Sequence, residues 1–203
     1  MSLLLNKKLN NHTQIGIWRI SESQEDLISS SSGIPTINPA KELQRASVRS
    51  IAKIIFQNTD TEIKYDVHGK PHFKNSQVQI SISHTTRYSA LIGSSKYPMG
   101  IDIELISPRI ENIFSKFMSD DEIASLSSED RLEQLYVYWC AKEALYKYYG
   151  EKGLIFKEQL LIDPFKYNEN GDITGHIITE SFVKTLPLHY EKFSDHMLVY
   201  VAE

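Results

Sequence analysis

The chain has a single cysteine, Cys140, among its 203 residues. One cysteine cannot form a disulfide within the chain, and it cannot build a zinc site from several cysteines. No apolar run is long enough to span a bilayer, and the first eight residues lack the full layout of a signal peptide. These absences predict a cytoplasmic protein that does not enter a membrane.

Positive charge is not in excess either. The 22 Lys and Arg residues against 26 Asp and Glu residues give a formal net charge of -4, which offers no indication of nucleic-acid binding. Glycine-rich loops of the P-loop or dinucleotide-binding type are also missing. Any phosphate group would therefore have to be held in another way.

A stretch near the middle of the chain carries two carboxylates. Gly100-Ile101-Asp102-Ile103-Glu104 alternates with the period of a β-strand, so the two isoleucines face one way and the two acidic residues the other. A divalent cation would offset the repulsion between these carboxylates, and Mg²⁺ favours one or two carboxylates together with phosphate oxygens. A strand with one solvated face is the alternative explanation.

A long helix, predicted from about Ser128 to Tyr149, places a third carboxylate in its apolar stripe. At about 100° per residue, Glu143 falls in line with Tyr136 and Trp139, where a leucine would be expected. It is either a functional group or half of an exposed ion pair with Lys147, one turn further on. Three carboxylates with nearby lysines are the groups that a magnesium–pyrophosphate site requires.

A basic row lies on an earlier helix, predicted from Asn38 and Pro39 to about Phe56, with Asn38 as its N-cap. Its members follow one another at spacing four: Lys41, Arg45, Arg49 and Lys53. The row is either a solvated face or an anion-binding surface, because arginine suits phosphate recognition.

The order of predicted elements is similar in the two parts of the chain. Each part has helical material first, including a short helix at Ser21 to Ile28 before a serine-rich loop in the first part, and then several short strands. A helix followed by an antiparallel sheet, twice, predicts an α+β fold. The acidic strand lies close to the junction, which is a usual place for a small-molecule site.

Four stretches in this order resemble the 4'-phosphopantetheinyl transferases of the Sfp type. They are Gly69-Lys70-Pro71, Ser81-Ile82-Ser83-His84-Thr85, the acidic strand, and Trp139-Cys140-Ala141-Lys142-Glu143-Ala144-Leu145-Tyr146-Lys147. The resemblance implies two similar α+β halves in one chain, related by a pseudo-twofold axis, with the active site between them. The halves are placed at residues 1–98 and 99–203.

The resemblance also implies a reaction, in which the phosphopantetheine group of coenzyme A is transferred to a serine hydroxyl of an apo acyl or peptidyl carrier protein and 3',5'-ADP is released. Asp102, Glu104 and Glu143 would bind Mg²⁺, and Glu143 would also act as the base. Lys147 would assist the departure of 3',5'-ADP. Phosphate contacts are implied for the remaining basic residues: Lys142, Lys70, His84 at the 3'-phosphate, and Arg45 or Arg49.

Two other functions stay open at this point. One is a module that binds coenzyme A or a carrier protein without transfer, and the other is a Mg²⁺-dependent nucleotide pyrophosphatase. The sequence does not identify the carrier protein, nor does it choose between Arg45 and Arg49. A monomer is the expected state, because two halves in one chain could form the site alone.

Overall fold

The computed structural model describes residues 2–20, 39–57 and 60–203. The strands are β1 (Ser2–Lys8), β2 (Thr13–Arg19), β3 (Ile63–Tyr65), β4 (Pro71–Phe73), β5 (Gln79–His84), β6 (Tyr88–Ser94), β7 (Ile101–Leu105), β8 (Leu160–Ile162), β9 (Asn170–Ile178), β10 (Val183–Phe193) and β11 (His196–Val201). The helices are α1 (Pro39–Ile55), α2 (Phe114–Phe117), α3 (Asp120–Ala124), α4 (Arg131–Tyr149) and α5 (Phe156–Gln159), with a 3-10 helix at Pro108–Asn112. The predicted Ser21–Ile28 helix, the serine-rich loop after it and the Asn38 cap lie outside the described residues.

The strands form two antiparallel sheets. The first has six strands in the order β1-β2-β6-β5-β4-β3, and the second has five in the order β7-β11-β10-β9-β8. The first sheet with α1 and the second sheet with α4 correspond to the two parts of the chain that the sequence predicted. The α+β class is therefore confirmed, whereas the boundary between residues 98 and 99 stays a prediction.

Four layers follow from the buried side chains. Helix α1 covers one face of the first sheet, the two sheets face one another, and α4 covers the far face of the second sheet. The core between the sheets contains apolar residues from both: Ile15, Ile17, Ala90, Ile92, Met99, Ile101, Ile103, Leu198 and Tyr200. Residues on β7 therefore alternate between this central core and the side that faces α4.

Helix α1 has the apolar spacing that the sequence predicted. Its buried residues Leu43, Val48, Ile51 and Ile55 recur at intervals of three to five and turn towards the first sheet. The helix lies so close that a Cβ at Gly16 of β2 would be 2.4 Å from Ile51 Cγ2. The opposite face of α1 presents the basic row to solvent.

Helix α4 is buried on most of its surface, so it forms the centre of the second half. Eleven of its residues are buried, and it ends at Gly150, whose φ of 79° is the left-handed conformation that glycine adopts without strain. This end agrees with the predicted stop, and the start lies three residues later than expected. No helix within the described ranges has the length and apolar character needed to cross a membrane.

Candidate active site

The three acidic residues come from two elements that touch through their backbones. Asp102 and Glu104 lie on β7, and Glu143 lies on α4. The preceding Gly100 is needed for this contact, because a Cβ there would be only 1.8 Å from the carbonyl oxygen of Ala144. The absent side chain thus lets the strand lie against the helix, with its acidic residues on the helix side.

Asp102 is the most buried of the three carboxylates, with 3% of its surface exposed. Its Oδ1 accepts a hydrogen bond from the Lys147 ammonium at 2.7 Å and another from the Ser83 hydroxyl at 2.7 Å. Lys147 also donates to the carbonyl oxygen of Ile101 at 2.9 Å. The other carboxylate oxygen, Oδ2, is buried, and no group of the described residues donates to it. This is a costly state unless a ligand completes it.

Glu104 and Glu143 are both weaker acids than an ordinary glutamate. The pKa of each is raised to about 7, mainly by burial and then by the negative charge of Asp102. The nearby indole N–H of Trp139 opposes the rise in the pKa of Glu104, and the positive charge of Lys147 opposes the rise for both glutamates. A carboxylate with a pKa near neutrality can accept a proton at physiological pH and pass it on.

Two adjoining cavities share the His84 side chain, and one of them reaches Lys147, the partner of Asp102. The larger one, of about 630 Å³, is bordered by Arg45 and Arg49 of α1 and by His84 at the end of β5. The smaller one, of about 210 Å³, is bordered by Lys70, Lys147 and again His84. Burial and the positive charge of Lys147 lower the pKa of His84, in that order. The two cavities share the Ile82 and His84 side chains, and Lys147, which pairs with Asp102, borders the smaller one.

Lys70 crosses from the first half of the chain to the second. Its ammonium donates to the carbonyl oxygen of Tyr148 at 3.3 Å, close to the C-terminal end of α4. Its methylene chain lies over Gly150, where a Cβ would come within 2.8 Å of Lys70 Cδ and Nζ. Burial lowers the pKa of Lys70. The lysine therefore borders the smaller cavity from a fixed position.

This part of the chain also matches known proteins. Residues 98–198 match the family model described as the 4'-phosphopantetheinyl transferase superfamily. This region, about half of the chain, is similar to members of that superfamily.

Three curated transferases of the superfamily from Bacillus subtilis are similar to it. The 4'-phosphopantetheinyl transferase Sfp of strain 168 is 30% identical over 135 residues, covering 63% of this chain and 58% of the relative. A second, named ffp, is 30% identical over 150 residues, with 68% and 64% covered. A third is 32% identical over 117 residues, with 56% and 49% covered. The chain thus spans about half to just under two thirds of the length of these relatives.

One residue of the superfamily pattern is placed differently from the expectation. Lys142 was expected to contact phosphate, but its side chain is fully buried and its ammonium pairs with Glu122 Oε2 at 2.8 Å. It also donates to the carbonyl oxygen of Phe156 at 3.1 Å. Lys142 and Glu143 are consecutive on α4, and consecutive residues of a helix are rotated by about 100° around its axis. Their side chains therefore leave the helix in different directions. The Lys142 ammonium is therefore held in an ion pair inside the protein, and its contact with phosphate stays a prediction.

Sequence reasoning missed three residues that contact the site or support it. Ser83 and Trp139 were named only within the motif stretches and the apolar stripe, and Glu122 was not singled out. Trp139 does pack against Phe117 and Phe156, and its N–H is what reaches Glu104. The signal for Ser83 was its place in the alternation of β5, which turns it towards β7.

The donor set fits a hard divalent cation such as Mg²⁺. Carboxylate oxygens are the ligands that Mg²⁺ prefers, and the buried Asp102 Oδ2 is an acceptor that lacks a donor. Among the described residues, no three His, Cys, Asp or Glu side chains already surround one point. The positive charge nearest to Asp102 is instead the ammonium of Lys147.

Proposed function

We propose that this protein transfers the 4'-phosphopantetheine group of coenzyme A to a serine hydroxyl of an apo carrier protein, releases 3',5'-ADP and depends on Mg²⁺. The observation that carries the proposal is that Asp102 and Glu104 on β7 lie on the side facing Glu143 of α4, next to Lys147, which borders the smaller of the two cavities. These residues lie within the region that matches the transferase superfamily. A solvated strand face does not explain an aspartate that is only 3% exposed.

The chemistry requires a base, because a serine hydroxyl is a weak nucleophile. In the proposed reaction a bond forms between the serine oxygen and the phosphorus attached to pantetheine, and the bond from that phosphorus to the bridging oxygen breaks. The serine proton passes to the Glu143 carboxylate, and the bridging oxygen leaves with 3',5'-ADP. A raised pKa of about 7 suits Glu143 to this acceptance.

Negative charge that gathers on the leaving group must be stabilised. Lys147 is the ammonium closest to the carboxylates, at 2.7 Å from Asp102 Oδ1, and we assign it to the pyrophosphate. A divalent cation held by Asp102, Glu104 and Glu143 would supply further stabilisation of phosphate charge. His84, which borders both cavities, is assigned to the 3'-phosphate.

The other basic residues are assigned by their positions. Arg45 and Arg49 both border the larger cavity. Arg45 pairs with Glu42 at 2.8 Å and is otherwise exposed, so both arginines remain candidates for the nucleotide phosphates. Lys70 borders the smaller cavity and is assigned to the nucleotide there.

Intact-mass analysis tests the proposal. A panel of apo carrier proteins from fatty-acid, polyketide and nonribosomal-peptide systems is incubated with the protein, coenzyme A and Mg²⁺. We expect a gain of one phosphopantetheine unit on at least one carrier, lost with EDTA. The ranking of carriers would begin to identify the acceptor.

The matched control compares two glutamates on α4. Glu143→Gln should abolish the mass gain, whereas Glu133→Gln, which removes only an ion pair with Lys192 at 2.9 Å, should keep it. Tight coenzyme A binding without any transfer would instead indicate a binding module. Release of 3',5'-ADP without an acceptor would indicate a pyrophosphatase.

The cellular setting belongs to the same proposal. We expect the protein to be cytoplasmic. We also expect it to be a monomer, because the two halves of one chain supply every assigned residue. Light scattering of the purified protein at assay concentration measures the mass, and a dimer mass would contradict the monomer.

A further inference from the structure

Two serines of β5 meet β7 in different ways. The Ser81 hydroxyl accepts the backbone N–H of Ile101 at 3.1 Å. The Ser83 hydroxyl accepts the backbone N–H of Ile103 at 3.3 Å and also contacts Asp102 Oδ1 at 2.7 Å. Both serines are buried, with 2% and 7% of their surface exposed. Only Ser83 therefore joins the first sheet to a carboxylate of the site.

The direction of each Ser83 hydrogen bond is fixed by its partners. A backbone N–H can only donate, so the Ser83 oxygen accepts from Ile103. An ionised carboxylate can only accept, so the single hydroxyl proton is given to Asp102. A hydroxyl donating to an ionised oxygen at such a distance is among the stronger hydrogen bonds of proteins.

The consequence lies on the other oxygen of Asp102. Ser83 and Lys147 both donate to Oδ1, and Oδ2 remains buried without a partner. Lys147 ends a flexible chain of four methylene groups and is also assigned to the leaving group. Ser83 has one side-chain torsion and sits on a paired strand, so it can hold Oδ1 in place when Lys147 turns to a substrate.

We propose that Ser83 is a positioning residue, which orients the Asp102 carboxylate so that Oδ2 is presented to the divalent cation of the reaction. This inference rests on the proposed function. Ser83 does not need to touch the substrate for this role. It acts by fixing the rotation of a ligand, in the way that residues behind a metal ligand generally do.

The built-in control is Ser81. Ser83→Ala and Ser81→Ala each remove one buried hydroxyl that accepts an N–H of β7, but only Ser83→Ala removes the donor to Asp102. The probe is Mn²⁺, whose free concentration is followed by electron paramagnetic resonance in solutions that contain saturating coenzyme A, with or without protein. No carrier is present, so the readout does not depend on turnover.

We expect Ser83→Ala to weaken Mn²⁺ binding about tenfold or more, and Ser81→Ala to change it less than twofold. Ser83→Thr, which keeps the hydroxyl, should restore binding. Equal losses for the two alanine variants would overturn the inference, as would Mn²⁺ binding by Ser83→Ala at the wild-type level. Thermal unfolding of each variant shows whether it is folded, and Ser83→Thr serves as the folded test if Ser83→Ala is not.

The inference and the proposed function can fail separately. If the wild-type protein loads a carrier but Mn²⁺ binding does not depend on Ser83, transfer stands and the positioning role falls. If Mn²⁺ binding depends on Ser83 and no carrier is loaded, the positioning role stands and transfer falls. In steady-state assays, the positioning role also predicts that Ser83→Ala raises the half-saturating Mg²⁺ concentration more than it lowers kcat.

Discussion

A single methyl group at Gly100 should separate strand β7 from helix α4. The Cβ of Gly100→Ala would lie 1.8 Å from Ala144 O and 2.7 Å from Ala144 C, whereas real Cβ contacts essentially never fall below 3.0 Å. The strand and the helix must therefore separate by about 1.2 Å, the difference between the first distance and this limit. Both clashing atoms belong to the backbone, so no change of rotamer relieves the contact.

This separation would affect stability and rate together. Overpacking of a core costs roughly 1–3 kcal/mol, and the backbone contact places the substitution at the upper end of that range. The shift carries Asp102 and Glu104 on β7 away from Glu143 on α4. A misplacement of about 1 Å between reacting groups can cost on the order of 10²-fold in rate, which is the loss we expect for carrier loading.

Gly175→Ala is the matched control for this substitution. A Cβ at Gly175 would lie 2.7 Å from Leu188 Cδ1 and 2.9 Å from Leu145 Cδ1, which are ends of flexible side chains away from the carboxylates. We expect lower stability in urea unfolding but nearly normal carrier loading by intact mass. The reasoning is refuted if folded Gly100→Ala loads carriers within about twofold of wild type, or if Gly175→Ala loses as much rate.

Three further predictions concern single side chains. Lys142→Met should lower the free energy of unfolding by about 3–5 kcal/mol in urea, because it leaves the buried carboxylate of Glu122 without its cation, and adding Glu122→Gln should recover part of this stability. A rise in the KM for coenzyme A without a loss of stability would contradict this prediction. In metal-free protein with a chelator, the raised pKa of Glu143 means that the wild-type protein loses stability as pH rises from about 4.5 to about 7. Glu143→Gln should therefore unfold at a higher temperature than wild type at pH 8 and at nearly the same temperature at pH 4.5. A difference in unfolding temperature that does not change with pH would contradict this sign. His84→Ala should discriminate roughly 10–100-fold less between coenzyme A and 3'-dephospho-coenzyme A, and unchanged discrimination in kcat/KM would remove the residue from the 3'-phosphate.

Much of the first half and the acidic strand could be predicted from local patterns. Helix α1, strand β7 and the end of α4 have clear periodicity and terminal signals, and the structure confirms them. Strand β10, the longest in the protein, was missed. It contains Pro187 and the charged residues Lys184, Glu191 and Lys192, which disfavour a strand prediction. Its partners β9 and β11 are its neighbours in sequence, to which short hairpin connections join it.

The residues at the start of β9 have a composition that is more typical of a turn than of a strand. Asn168 to Asp172 has the composition of a tight turn, but its last three residues, 170 to 172, begin β9. Gly171 pairs with Tyr190, where a Cβ would come within 2.9 Å of the tyrosine hydroxyl. The glycine is thus needed for packing across the sheet, and sequence composition cannot separate that need from a turn.

The carboxylates of the site were accessible from the sequence, but their environment was not. Glu143 was found because it interrupts an apolar stripe, and the structure shows that stripe as the half-buried face of a helix that is buried nearly all round. The burial of Lys142 depends on Glu122, twenty residues earlier. Ion pairs between separate elements leave no periodic trace in either of them, so this pair could not be predicted from the pattern of the sequence.

The serine contacts between the sheets have a consequence for solubility. Among the described strands, β7 has one backbone partner, β11. The other edge of β7 would otherwise offer unpaired N–H groups to strands of other molecules. The hydroxyls of Ser81 and Ser83 occupy the Ile101 and Ile103 donors on that edge. The protein therefore protects an end strand from edge-to-edge aggregation with side chains instead of a further strand.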